Sequence, residues 1–569
     1  MTRLHSAAEL EQLRAAILAA RESARPCIAV CAGAACHGLD SMRVANAFQA
    51  EVGKLGPAAG VEVRVTGCHG YCEKGPNVVV GPAEICYFEV KPEDVPEIVE
   101  STLTGKVVER LVYAHPGTGE KAVHMNEVPF YKHQTQLLIG DNTRIDPMRI
   151  DDYLAVGGYA ALAKALFQMT PEQIVDEVKK ANLRGRGGGG FPAGLKWETT
   201  RNAPGDERYV IVNGHEGEPG AFMDRALFTG NPHKVLEGLV IGAFAIGSHR
   251  GFIYTRHDSP QLIKHIEQAL AQAEEYGLLG DDILGSGFDF HVELHFDVGI
   301  FVSGESSALM RSIEGLPPEP RPKYIRTSVA GIRDKPSNLN NVETWANVPQ
   351  IISRGAEWYA SIGTEGSKGT KLVSLSGNVV NSGVVEVPMG TPLRKIVYDI
   401  GGGVAGGKAA KAVHFGGPMG GSIPASLIDA PLDFDELAKL GAPIGAGGLL
   451  VMDEDTDMVE VARYFLEWLT NESCGKCVPC REGMWQTMKV LDNITKGKGR
   501  NGDIARLEDL NDVTGAACLC ALGKTASDPL KSMLRYFRDE YETQIARGSE
   551  SKVGAAENKG GQAVGSAAK

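Results

Sequence analysis

The eleven cysteines of the chain fall into two groups, Cys27, Cys31, Cys36, Cys68, Cys72 and Cys86, then Cys474, Cys477, Cys480, Cys518 and Cys520. Close-spaced thiols in a reducing compartment are more often metal ligands or redox groups than disulfides. Cys31 and Cys36 are separated by four residues and Cys68 and Cys72 by three, so each of two loops offers two thiolates. Such a set can hold zinc or an iron-sulfur cluster, since both accept tetrahedral sulfur, and spacing alone leaves the metal open. The wide spacings favour a 2Fe-2S cluster over structural zinc, which prefers Cys-x2-Cys knuckles; buried cysteines without a ligand are the bland alternative. Cys474-Gly-Lys-Cys477-Val-Pro-Cys480 offers three thiolates that can face one cubic 4Fe-4S cluster from a loop opening a helix. The fourth must come from elsewhere, and Cys518 and Cys520 are the downstream candidates.

A second kind of chemistry is suggested by glycine. The run Gly185-Arg-Gly187-Gly-Gly-Gly190-Phe191-Pro-Ala-Gly194-Leu-Lys196-Trp197 has the composition of an anion cradle, in which backbone N–H groups converge on phosphate near a helix N-terminus. It is neither a Walker loop nor the usual dinucleotide fingerprint, and taken alone a flexible turn explains it equally well. Three further segments follow in order: Asn213-Gly-His-Glu216-Gly-Glu218-Pro-Gly220, Gly304-Glu305-Ser-Ser-Ala-Leu, and Lys335-Pro-Ser-Asn-Leu-Asn340-Asn341-Val-Glu-Thr344. Four such segments are not a chance set of turns.

Residues this far apart need several elements to bring them together. At 569 residues the chain is expected to hold three or four cores, and its formal charge of -13 argues against a nucleic-acid partner. No run approaches a membrane span, and Met1 to Ser23 has polar residues throughout, so neither direct membrane insertion nor a signal peptide is expected and the location reads as cytoplasmic. Hydrophobic patterning predicts an α/β multidomain protein. Residues 1–105 form a small unit with helices at Ala7–Ala20, Met42–Val52 and Val95–Leu103 and strands at Cys27–Val30, Val61–Val65 and Val78–Val80. Residues 106–130 read as a linker, 131–365 as a glycine-rich α/β region and 366–452 as a compact β-rich module with a helix at Leu393–Asp399. Residues 453–545 read as helical, with Leu530–Gln544 as the last helix, and 546–569 as a disordered tail.

The first cysteine pattern, with Gly67-Cys68-His-Gly-Tyr-Cys72-Glu-Lys-Gly75-Pro76, resembles the thioredoxin-like 2Fe-2S ferredoxin family over the first 100 residues or so. That resemblance implies Cys31, Cys36, Cys68 and Cys72 as ligands, with Cys27 and Cys86 in the core and His37 and His69 outside the ligand set. From about residue 130 to 545 the chain resembles the NADH-binding flavoprotein subunit of respiratory complex I and its relatives in soluble hydrogenases and formate dehydrogenases. This implies an FMN/NADH-binding domain, a soluble-ligand-binding β-grasp domain and a C-terminal helical 4Fe-4S domain. FMN is then held by Gly185, Gly187, Lys196, Asn213, Glu216, Gly304, Asn340 and Asn341, with nicotinamide nucleotide near Phe191 and Glu218 and with Glu305 also in the site. Glu216 and Glu218 are positioning residues rather than proton acceptors. The same resemblance aligns Cys520 with the usual fourth cluster ligand beside Cys474, Cys477 and Cys480, leaving Cys518 as a neighbour.

Four positions depart from the respiratory pattern: His215 replaces an Asp, Phe301 a Tyr and Ser306 a second Glu, and Arg326 stands near a usual aromatic. The expected activity is hydride exchange between NAD(H), with NADP(H) as an alternative, and FMN, followed by single-electron transfer through the 4Fe-4S and 2Fe-2S clusters. Expected partners are a small thioredoxin-like 2Fe-2S subunit and a catalytic subunit such as a hydrogenase or formate dehydrogenase, with ferredoxin as a further acceptor. Two rivals stand beside this reading, an electron-bifurcating subunit and a non-catalytic redox relay or sensor. The chain carries no C-terminal Cys-x2-Cys-x2-Cys-x3-Cys-Pro repeat of the kind many bifurcating relatives have.

Overall fold

The computed structural model describes residues 3–547 except 22–24, 57, 59 and 116; residues 548–569, nearly all of the predicted tail, lie outside the described residues. Near the N-terminus, strands β1 (Cys27–Cys31), β2 (Glu62–Thr66), β3 (Val78–Gly81) and β4 (Ile85–Tyr87) form one sheet in the order β2-β1-β3-β4. β1 runs parallel to β2 and antiparallel to β3. Alternation in β1 sends Ile28 and Val30 to one face, where helices Ser41–Leu55 and Val95–Thr104 cover them with Val44, Phe48, Ile98 and Val99.

Two boundaries differ from expectation. Helix Ala7–Ala20 forms where predicted but packs on the central region instead: Leu10 is buried in that core, and the Arg14 guanidinium donates to the Leu154 and Gly158 carbonyls. The presumed linker is folded. Val108, Leu111 and Val112 complete the N-terminal core, β5 (Tyr113–Ala114) pairs with β6 (Lys121–Ala122), and Phe130 stacks on Tyr71 at 4.2 Å. Its apolar residues outweigh the turn signals around Gly117 and Gly119.

The central sheet is fully parallel, with strands β7 (Tyr209–Gly214), β8 (Arg250–Thr255), β9 (His291–Phe296) and β10 (Ser337–Asn341) in the order β10-β7-β8-β9. Helices Pro232–Ile246 and Val342–Arg354 pack together in the adjoining core, and they approach closely because Gly238 has no side chain: a Cβ there would lie 2.0 Å from the Trp345 carbonyl oxygen. A second, mixed sheet follows, built of β11 (Thr370–Gly377), β12 (Gly383–Pro388), β13 (Ala410–Phe415), β14 (Gly421–Pro424) and β15 (Gly448–Asp453) in the order β12-β11-β15-β13-β14. The helix predicted at Leu393–Asp399 is a wide helical turn over Lys395–Ile400 that buries Ile396, Val397 and Ile400. Helices Met458–Asn471, Met484–Thr495, Asp503–Ala517 and Asp528–Tyr536 make the last unit. The single helix predicted over Leu530–Gln544 is broken at Phe537 and resumes over 538–547. Among the described residues no helix is long and apolar enough to cross a membrane.

Candidate redox-cofactor site

In the parallel sheet the chain order reverses beside β7: β8 and β9 lie on one side and β10 on the other. Ligands of open α/β sheets bind at such a switch point, beyond the carboxyl ends of the strands. The register pairs Asn341 with Asn213 there. Asn213 donates through Nδ2 to the Gly304 carbonyl at 2.9 Å and accepts from the His215 N–H at 3.1 Å. Asn341 caps helix Val342–Arg354 by accepting from the Glu343 N–H, and its amide donates to Asp224 at 2.5 Å. The sheet therefore gathers three of the four motif segments at one edge.

The glycine run closes on itself through Gly185 N–H to the Phe191 carbonyl at 2.9 Å and delivers the chain into helix Ala193–Asn202. A Cβ on Gly187 would lie 2.8 Å from Asn341 Cβ, and one on Gly304 would lie 2.7 Å from His215 Nδ1, so only glycine allows these backbones to come this close. The Lys196 ammonium donates to the Leu339 carbonyl at 2.8 Å, and burial lowers its pKa to about 8. Asn340 is buried next to it on β10. Phe191, Lys196, Glu305, Ser306 and Arg326 line one cavity of about 310 Å³, while the Phe191 ring remains half exposed.

The two glutamates have different situations. Glu216 accepts from the Asp224 and Arg225 N–H groups at 2.8 and 3.0 Å, so its carboxylate holds the start of helix Met223–Gly230. Glu218 has one carboxyl oxygen buried without a partner, and its pKa is pushed up to about 7 by burial and then by the Glu216 charge, with Lys371 pulling the other way. Glu305 likewise caps helix Ser306–Ile313 through the Ser307 and Ala308 N–H groups. Sequence reasoning missed Asp297, which lies 3.0 Å from His215 Nε2 and 2.6 Å from His257 Nδ1. Burial alone raises the Asp297 carboxyl, but the hydrogen bonds to His215 and His257 outweigh it and hold the pKa well below the usual range. No local pattern marks Asp297 or His257; only the parallel pairing of β8 with β9 makes them neighbours.

The first thiol group assembles as two loops. Cys31 ends β1 and Cys36 lies in the short helix Ala34–Gly38, while Cys68 follows β2 and Cys72 opens the next turn. Cys31 has Cys36 and Cys68 for neighbours, and Cys68 has Cys72, so the two loops bring their thiols together. Gly33 and Gly75 leave the room: a Cβ at either would lie 2.7 Å from Cys68 Cβ or 2.8 Å from Cys36 Sγ. Cys86 is buried and Cys27 half-buried on the same sheet. His69 turns its Nε2 to Thr66 at 2.7 Å. In the second group Cys477, Cys480 and Cys518 have sulfurs all within 4.8 Å of one another. Cys520 is buried and precedes helix Ala521–Thr525, with Cys474 and Cys480 among the charged groups that act on it. The geometry thus brings Cys518, set aside as a neighbour on sequence grounds, into the tightest sulfur group.

Residues 178–350 match the family model for the Nuo51 FMN-binding domain, and residues 460–544 match that for the NADH-ubiquinone oxidoreductase-F iron-sulfur binding region. The NADP-reducing hydrogenase subunit HndC of Solidesulfovibrio fructosivorans is 48% identical over 401 residues, covering 70% of this chain and 81% of that protein. An NADH-quinone oxidoreductase F-type subunit of Rhizobium meliloti is 44% identical over 396 residues, covering 70% of this chain and 94% of that one. Among solved structures, an NAD+-reducing [NiFe]-hydrogenase in the H2-reduced state superposes with a TM-score of 0.65 at 26% identity, over 95% of this chain and 90% of that chain.

Proposed function

The chain belongs to the family of NADH-quinone oxidoreductase F-type subunits and their hydrogenase counterparts, and from that premise we propose that it is the NAD(P)H-oxidising or NAD(P)+-reducing flavoprotein component of such an assembly. The observation that carries the reading is the convergence of Gly187, Gly304, Asn213 and Asn341 at the switch point, where a Cβ on either glycine would collide with Asn341 or His215. The donor set fits FMN: glycine N–H groups for phosphate, asparagine amides for the ring edge, and the Lys196 cation beside them. Gly185, Gly187, Lys196, Asn213, Gly304, Asn340 and Asn341 would hold it. When bound there, FMN would supply two-electron hydride chemistry toward the nicotinamide and a one-electron exit. Glu216 and Glu305 fix the backbone around it by capping two helices, and Phe191 offers an exposed ring for nucleotide to stack on.

We assign Cys474, Cys477, Cys480 and Cys520 to a 4Fe-4S cluster and Cys31, Cys36, Cys68 and Cys72 to a 2Fe-2S cluster. The wide Cys31–Cys36 and Cys68–Cys72 spacings support a 2Fe-2S cluster in preference to structural zinc, which favours Cys-x2-Cys knuckles. The first sheet and its two helices are then a thioredoxin-like ferredoxin domain, and the five-stranded sheet is the β-grasp domain. Partners are a catalytic subunit of the hydrogenase or formate dehydrogenase type and a small 2Fe-2S subunit, in the cytoplasm. Anaerobic purification followed by flavin and metal analysis tests the whole reading. It should give noncovalent FMN and iron for one cluster of each kind per chain, whereas stoichiometric zinc with negligible iron would reject it.

A further inference from the structure

The C-terminal unit holds five thiols for a cluster that uses four. Cys518 is buried, at 4% exposure, where helix Asp503–Ala517 ends. It cannot be dismissed as a core cysteine pointing elsewhere, because its sulfur lies within 4.8 Å of both Cys477 and Cys480. Room is reserved for it: Gly523 presses on this sulfur, and a Cβ there would lie 2.5 Å from Cys518 Sγ and 3.3 Å from Cys480 Cβ. Only Leu519 separates it from Cys520, which is also buried and precedes the next helix. Both thiols thus sit on the short connection between two helices, and Cys518 there lies beside Cys477 and Cys480.

We propose that Cys518 is an alternative fourth ligand of the 4Fe-4S cluster, able to replace Cys520 on the same iron. This rests on the assignment of that cluster above. The exchange balances without an external reagent: the iron bond to the Cys520 sulfur breaks, one to the Cys518 sulfur forms, and the Cys518 proton passes to the departing thiolate. Net charge and electron count are unchanged. The consequence is a cluster that survives transient loss of one ligand, at the point in the chain where electrons leave the flavin region.

The test uses the full-length chain purified anaerobically, with alanine as the replacement because a serine oxygen could itself bind iron. Cys520→Ala should retain the iron of the 4Fe-4S cluster and a reduced-state EPR signal of that type with shifted g-values, and Cys518→Ala should retain the wild-type signal. The double variant should lose that cluster while keeping FMN and the N-terminal cluster signal. Complete loss of the 4Fe-4S signal in Cys520→Ala, with FMN and the other cluster present, overturns the proposal, as does its loss in Cys518→Ala. Should Cys520→Ala not fold, chelator-driven release of cluster iron decides the matter: it should run several-fold faster in Cys518→Ala than in wild type, and equal rates overturn the proposal. A wild-type protein without any 4Fe-4S signal would instead reject the underlying cluster assignment.

Discussion

The Phe301 N–H donates to the Glu472 carboxylate at 2.7 Å, joining the loop before Gly304 to the residue that leads into Cys474. The Phe301 ring meets Trp468 edge-on at 4.8 Å, and Lys476 of the cysteine loop donates to the Pro320 carbonyl and pairs with Glu319. The flavin side and the cluster side are therefore braced against each other at these residues, with Val302 buried in the C-terminal core. A hydrogen bond to a charged acceptor is worth about 1.5–3 kcal/mol, less where water competes. Glu472→Ala should slow NADH-driven cluster reduction severalfold in stopped-flow absorbance without lowering FMN content, and Glu472→Gln should recover most of the rate. An unchanged rate in Glu472→Ala would mean that the brace does not set the transfer geometry.

Gly187→Val places branched bulk where even a Cβ lies 2.8 Å from Asn341 Cβ. The clash lies at the cradle and not in the core beneath it, so the variant should fold with both clusters but without FMN, and dye reduction by NADH should fall to background. Flavin fluorescence after denaturation measures occupancy. Full occupancy in folded Gly187→Val protein would move the cradle elsewhere.

How much of this was legible in the sequence depended on the range of the interaction. Strands such as Cys27–Cys31 and Val78–Gly81 form within a residue of the expected bounds and helix Ala7–Ala20 at them, because local periodicity decides them. Where Ala7–Ala20 docks was not legible, since Leu10 and Arg14 are matched by residues more than a hundred positions away. The motif glycines and asparagines could be named from their order, but that Asn213 and Asn341 are register partners is a property of the sheet. Glu216 and Glu305 could be named from their motifs, but that their carboxylates accept from helix N-termini is stated by no motif. Asp297 gave no signal because its partners come from two other strand ends.

Burial of Glu218 gives stability a pH dependence. Its carboxyl titrates ordinarily at 4.5 but is pushed up to about 7 in the folded chain by burial, reinforced by Glu216. The folded state therefore holds the proton more tightly than the unfolded one. Stability is unaffected below 4.5, falls as pH rises from there to about 7, and stays lowered above. At about 1.4 kcal/mol per pH unit the ceiling is roughly 3 kcal/mol. Glu218→Gln should flatten the decline in Tm between pH 5 and pH 8 by calorimetry; a parallel decline in both proteins would assign the titration to another group.

Ser306 and Arg326 share a cavity of about 310 Å³ with Lys323 and Glu305, and we predict that this wall governs nucleotide choice. The Ser306 hydroxyl donates to the Glu305 carboxylate at 3.3 Å, so this wall carries one negative charge where a second glutamate would double it. Arg326 makes no ion pair among the described residues, whereas Arg321 beside it is paired with Asp334 and Glu314. A unit charge about 4 Å from a 2'-phosphate is worth about 1 kcal/mol in water and about 4 kcal/mol near a protein surface, and a guanidinium can pair with that phosphate through two hydrogen bonds. NAD(H) remains the expected substrate, with weak discrimination against NADP(H). Ser306→Glu should lower the NADPH-to-NADH ratio of kcat/KM by about tenfold, a change of about 1.4 kcal/mol, with kcat for NADH little altered. Arg326→Ala should lower the NADPH value alone. Steady-state dye reduction with both nucleotides measures this, and a ratio unmoved by Ser306→Glu would remove the electrostatic basis for selectivity at this wall.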